Sequence, residues 1–126
     1  MKPFPKVALL FACILLAGCS PAYEESRGFK ESSLLRFPVP MDAESNTPPD
    51  TDHTHIDRVE KFSLANIGGE QALVFPEAYH QYLEKKGWIR QEDRQAGSVH
   101  FYQKGKKLVA IEMEEDAFTL YEWKEN

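Results

Sequence analysis

Cysteine is almost missing from this chain. Its two cysteines, Cys13 and Cys19, both fall in the first twenty residues, and no thiol follows from Ser20 to Asn126. A disulfide scaffold, a cysteine-based metal centre and a cysteine nucleophile are therefore excluded from the body of the protein. Long apolar runs are missing too. The longest, VALLFACILLA at 7–17, has eleven residues, and a bilayer-crossing helix needs roughly 20. There is no excess of positive charge: 15 Lys and Arg against 20 Asp and Glu give a formal charge of −5. That balance argues against a nucleic-acid surface and against adhesion of the folded surface to anionic lipid. Glycine is sparse, and Gly68-Gly69 is the only adjacent pair among seven. It lacks the further glycines and the Lys-Ser/Thr end of a phosphate loop. No G-x-S-x-G turn occurs either. Nothing here is a cofactor fingerprint, so no cofactor is expected.

What is present fits one small domain. The chain has 126 residues, of which 42% are hydrophobic, and eight Phe, five Tyr and two Trp are enough aromatic mass for a compact core. At the start, Lys2 and Lys6 precede the eleven-residue apolar run. A charged start followed by a short apolar stretch has the pattern of a secretory signal.

The end of that run sharpens the reading. Leu16-Ala17-Gly18-Cys19 resembles the lipobox of bacterial lipoproteins, in which a Leu and two small residues precede a required Cys. The resemblance implies that the Cys19 thiol receives a diacylglyceryl group through a thioether and that the chain is cut between Gly18 and Cys19. Two acyl chains anchor a protein stably where one binds only marginally. Residues 1–18 are then a signal peptide. Removing 18 of 126 residues leaves 108, and the loss of Lys2 and Lys6 takes the charge from −5 to −7. The expected location is the extracytoplasmic face of the cell membrane, or the outer membrane if the source has two. The expected partners are the membrane, through lipidated Cys19, and an envelope protein, with no nucleic acid.

Residues 20–33, SPAYEESRGFKESS, show neither a 2.0 nor a 3.6 period. They read, with Cys19, as a lipidated flexible tether over 19–33, with an r.m.s. reach of about 20 Å. The domain is then 34–126. In 34–43, Phe37, Val39 and Met41 alternate with Pro38 and Pro40, which allows only an edge strand or an extended segment packed across the core. The Pro-rich stretch 44–57 reads as a loop and 58–66 as a strand. One helix is expected over about 75–86: Phe75, Ala78, Tyr79, Tyr82 and Leu83 recur at helical spacing, Pro76 suits the first turn, and Gly87 is placed to stop it. GWIRQED, 87–93, is expected to pair early, and strands over 98–103, 106–113 and 117–124 follow, the first two of these joined across Lys104-Gly105. The fold class is α+β: one helix on a mostly antiparallel sheet of about four strands, in the order extended–β–α–β–β–β.

The segments FPVPMDA, IGGEQALVFPEAYHQYLEKKGW, VHFYQKGKKLVAIEM and EDAFTLYEW, within 37–123, together resemble a group of small lipoproteins of Gram-positive spore-forming bacteria. These motifs are structural. The resemblance implies a fold and no activity.

Three sets of residues are candidates for function. DTDHTHID at 50–57 offers His53 and His55, with Asp50, Asp52 and Asp57, as ligands to a divalent metal. EMEED at 112–116 stacks Glu112, Glu114, Glu115 and Asp116, a set for acid–base chemistry in a small hydrolase if burial separates their pKa values. The aromatic residues Tyr102, Tyr121 and Trp123 supply a third reading. One helix covers only one sheet face, so an exposed aromatic set would form a partner surface. This non-enzymatic binding module is the leading expectation.

Overall fold

The structure, a computed structural model, describes residues 22–72 and 74–125. Cys19, the signal segment 1–18 and the first part of the expected tether lie outside the described residues.

Among the described residues, eight strands and one α-helix make up the domain: β1 Phe29–Glu31, β2 Pro38–Pro40, β3 Glu44–Asn46, β4 Ile56–Ser63, α1 Glu77–Lys85, β5 Ile89–Arg90, β6 Val99–Lys104, β7 Lys107–Met113 and β8 Ala117–Trp123. The class is α+β, as expected, but the sheet is larger than four strands. Six strands run in the order β3-β4-β8-β7-β6-β5, and β1 and β2 form a separate two-stranded sheet. All named pairings are antiparallel. The extra strands are β3, inside the expected loop 44–57, and the two-residue β5, within the GWIRQED stretch expected to pair early. Both are too short to show a period, and β3 (Glu-Ser-Asn) is wholly exposed, so no apolar residue announces it.

Local chemistry explains α1. Pro76 stands just before the first turn, with φ −58° and ψ 127°, and Glu77 opens the helix at its positive end. At the other end Gly87, at φ 93°, takes the left-handed conformation. Its N–H donates to Glu84 O (3.0 Å), and the Trp88 N–H donates to Leu83 O (2.9 Å). This is the Schellman arrangement, which satisfies carbonyls the helix leaves unpaired.

The core lies between the six-stranded sheet and a layer made by α1 and the β1–β2 hairpin. Tyr79 and Leu83 from α1, Phe37 and Val39 from the hairpin, and Trp88 meet Tyr102, Val109, Ile111, Phe118 and Leu120 from the sheet. Each such large apolar side chain contributes about 1.5–3 kcal/mol by leaving water. Pro38 and Pro40 flank Val39 in a strand buried at all three positions, as the Pro alternation anticipated.

The tether expectation fails over its described part. Ala22 bridges Ala65, and the Tyr23 N–H donates to Ala65 O (2.9 Å). Phe29 stacks on Tyr79 and Tyr82, with ring centroids 5.5 and 4.3 Å apart. The folded domain therefore begins by Ala22, not at 34. Two aromatic residues do this where the chain has no period: Phe29 within a three-residue strand and Tyr23 before it.

Candidate functional site

Side chains alternate along a strand, so the register decides which residues share a face. Phe101 pairs with Ala110, Ala110 with Tyr121, and Tyr121 with Val59. That row lies on the face of the sheet away from α1. The next row, Tyr102 and Val109, faces the core. The expected grouping of Tyr102 with Tyr121 and Trp123 is therefore corrected. Tyr102 is 0% exposed and contributes to no surface, while Phe101 takes its place.

Tyr102 has a different task. Arg90 Nε donates to its hydroxyl (3.3 Å), which leaves the phenolic proton for His80 Nδ1 (2.8 Å). That assignment puts the His80 ring proton on Nε2, 3.5 Å from Glu84 Oε1. Burial pushes the Tyr102 phenol up to about 12, partly offset by the Arg90 hydrogen bond. A phenol so hard to ionise is a poor base or nucleophile, and the chain ties α1 and β5 to β6.

On the open face, Phe101, Ala110 and Tyr121 floor a trough of about 420 Å³, walled by Ile56, Val99 and Trp123 and overhung by the loop carrying Pro49, Asp50, Thr51 and His53. The volume lies within the range of small-ligand sites. Phe101 meets Trp123 edge to face at 5.4 Å. The trough contains one sheet carboxylate, Glu112, to which Tyr121 Oη donates at 2.7 Å. Burial first, and then Glu112, push the Tyr121 phenol well above its ordinary range.

His53 and His55 are brought together around Trp123. The His55 ring stacks on the indole (5.7 Å, 9°), and His53 lies tilted on it at 5.1 Å. His55 Nδ1 is 2.9 Å from Lys124 O, so it carries the proton there, and the Lys124 N–H donates to His55 O (2.7 Å). His53 Nδ1 instead accepts from the His55 N–H (3.1 Å). The neutral rings are thus opposite tautomers: His55 leaves an Nε2 lone pair and His53 an Nε2 proton. Among the described residues no three His, Cys, Asp or Glu side chains converge to hold an ion. The pair is a clamp that closes the 50–55 loop over Trp123.

The acidic cluster is dispersed among separate partners. Glu112 serves Tyr121, Glu114 Oε2 lies 3.5 Å from Lys61 Nζ, and Asp116 Oδ1 accepts the Asn66 N–H (2.7 Å). Glu114, Glu115 and Asp116 are exposed on the β7–β8 turn, whereas Glu112 is half-buried in the trough.

Phe101 was passed over in favour of Tyr102, and Glu112 was grouped with the turn carboxylates rather than with the aromatic face it shares with Tyr121. The tight turns after Lys104 and Met113 hold the signal: they pair Lys104 with Lys107 and Met113 with Phe118, and those registers put Phe101, Glu112 and Tyr121 on one face. The continuous apolar run Leu108-Val109-Ala110-Ile111 hides the alternation that would otherwise reveal it. Comparison with protein-family models, curated proteins and solved structures finds no match to this chain.

Proposed function

We propose that this protein is an extracytoplasmic lipoprotein, anchored through Cys19, that acts by binding a protein partner in the trough on the open face of its sheet. The observation that carries the binding role is the trough itself. Its floor is aromatic and aliphatic, and its two carboxylates, Glu112 and Asp50, belong to different elements. That combination suits a segment presenting an apolar side chain beside a Lys or Arg: the apolar group fills the floor and the cation meets the carboxylates. A rigid aromatic floor gives contact area at little cost in conformational entropy. A hydrolytic role finds less support, because Glu112 is already engaged by Tyr121.

Support for the anchor is the lipobox-like Leu16-Ala17-Gly18-Cys19 behind its charged, apolar leader. The fold changes what the anchor implies. The domain begins by Ala22, so only Ser20 and Pro21 separate it from the lipidated residue, and it would ride against the bilayer.

The test is crosslinking of the native protein in cells, with Cys19→Ser, Trp123→Ala and Phe101→Ala as comparisons and mass spectrometry of the mature N-terminus. One dominant partner, lost in Trp123→Ala and Phe101→Ala, is expected, with a diacylglyceryl-modified Cys19. A partner retained by both trough variants would remove the trough, and an unmodified, uncut N-terminus would remove the anchor.

A further inference from the structure

The charges of this acidic domain are sorted by end. The β7–β8 turn, with Glu114, Glu115 and Asp116, lies beside Ala65 and the chain's entry at Ala22: the Leu64 N–H donates to Asp116 O and Ala22 bridges Ala65. The β6–β7 turn, with Lys104, Lys106 and Lys107, is at the other end of β7. At about 3.3 Å per residue the two poles are about 20 Å apart.

At the basic pole a cavity of about 330 Å³ opens between the β1–β2 hairpin, the end of α1 and the β6–β7 turn. Phe29, Tyr82 and Trp88 line it, and five cations (Lys30, Arg36, Lys86, Lys104 and Lys107) surround it against one carboxylate, Glu31. Lys30 is taken by the Ala43 carbonyl (2.9 Å), and Lys86 suits the helix end it caps. Arg36, Lys104 and Lys107 have no such employment. Among the described residues none of the three makes an ion pair.

Arg36 is also held there under strain. Leu35 and Arg36, at φ 55° and 58°, are both left-handed, and the Phe37 N–H closes the turn on Leu34 O (3.0 Å). Positive φ at both central positions is the pattern that Asn-Gly satisfies in a two-residue hairpin. For residues with a Cβ it costs roughly 1–2 kcal/mol each. Both strained residues line the cavity. Strain of this kind persists where the surroundings fix it, and it concentrates at ligand clamps.

The cationic surface continues past the cavity. A neighbouring hollow shares Leu35 and Lys107 with it and adds Lys106. The two carboxylates of that hollow are already neutralised, Glu122 by Arg58 (2.9 Å) and Glu125 by Arg94 (2.7 Å). The result is a track of free cations rather than a single anion socket.

We infer that this track, Arg36 with Lys104, Lys106 and Lys107, binds a linear phosphate-bearing polyanion of the cell envelope. A planar guanidinium and several ammonium groups in line match successive phosphates. The choice of an envelope polymer over the protein's own membrane rests on the Cys19 anchor proposed above. With two residues of leash at the acidic pole, the basic pole points away from the bilayer. Binding by the polymer itself does not depend on that anchor.

The test is titration of labelled linear inorganic polyphosphate with the purified full chain, at low and raised salt. The variants are Arg36→Gly, Lys104→Ser/Lys107→Ser and, as control at the far pole, Lys61→Ala. Saturable binding is expected, weakened at least about tenfold in the first two and unchanged in the third, with a log K–log salt slope that becomes shallower as cations are removed. Arg36→Gly is informative about folding, because glycine takes φ 58° without strain. A retained or raised thermal midpoint together with lost binding assigns the loss to the guanidinium. Equal affinity across all variants, no binding, tighter binding to poly-glutamate, or track-dependent binding to anionic phospholipid vesicles in place of the polymer would each overturn the inference.

Discussion

Tyr79 donates its hydroxyl to the carbonyl of Pro38 at 2.6 Å, and both groups are buried. This bond ties α1 to β2, a strand flanked by prolines that cannot donate, and burial holds the phenol well above its ordinary pKa. Tyr79→Phe keeps the ring but leaves the carbonyl unsatisfied. The expected cost is about 1–3 kcal/mol, read as a lower urea midpoint with an unchanged m-value. A midpoint equal to wild type would mean that water replaces the hydroxyl.

His100 is 7% exposed, sits edge-on to Phe75 at 4.9 Å, and has no partner for Nδ1. Burial, then Arg90 and His80, lower its pKa from 6.5 to about 4. The folded state therefore binds the proton less readily than the unfolded state. His100 gives full stability above about pH 6.5, and stability falls as the pH drops toward 4, by about 2–3 kcal/mol in all. His100→Leu should flatten that part of the pH–stability curve in urea titrations. Parallel curves for the two proteins would show that other groups set the slope.

Gly68 is required by space rather than by conformation. A Cβ built on it would come 2.1 Å from Glu114 O and 2.9 Å from Met113 Cγ. Gly68→Ala must push the β7–β8 turn away, at a cost of about 1–3 kcal/mol. Thermal unfolding should show a drop of several degrees, and Gly97→Ala, with nothing within 4 Å of its Cβ but a φ of 59°, separates crowding from backbone strain.

A chain beginning at Leu34 tests where the domain starts. It loses Tyr23 and Phe29, both packed against the core cluster, and β1, the strand paired with β2. Removing two half-buried aromatics costs about 3 kcal/mol, a large share of a small domain's stability. A chain beginning at Ser20 should melt cooperatively with dispersed amide resonances, and the shorter one should not. Equal melting of the two would restore the reading of 20–33 as a tether.

The parts of the fold legible in the sequence are those fixed by local chemistry. Gly87 at the end of α1, the Lys104-Gly105 turn and the alternation of Pro38 and Pro40 with Val39 each state their own conformation. The strands β1 and β3 were not legible, since three residues carry no period, and β5 was legible only as an early pairing within GWIRQED. The surface depends on register. Tyr121 and Trp123 could be assigned to one face from their spacing, but whether Phe101 or Tyr102 joined them rested on two turn lengths and an unpatterned β7. The clamp of His53 and His55 on Trp123 joins residues about seventy positions apart, and spacing within DTDHTHID suggests only a ligand set. The free cations of the basic pole come from two segments, Arg36 in one turn and Lys104, Lys106 and Lys107 in another nearly seventy positions on, and neither is a charge run long enough to stand out in an acidic chain.

The sheet's outermost strands are its shortest, three residues in β3 and two in β5. An edge offers unpaired N–H and C=O groups on which another chain can zip up, and β3 covers only Lys61, Phe62 and Ser63 of the eight residues of β4. Of the long strands, β8 and β7 have a partner strand on each side, while β4 runs past the end of β3 over Ile56–Glu60. The open stretch of β4 carries Asp57, Arg58 and Glu60, and charges on an edge are what turns away a second copy's strand, so the guard against copies joining edge to edge is electrostatic as well as a matter of length.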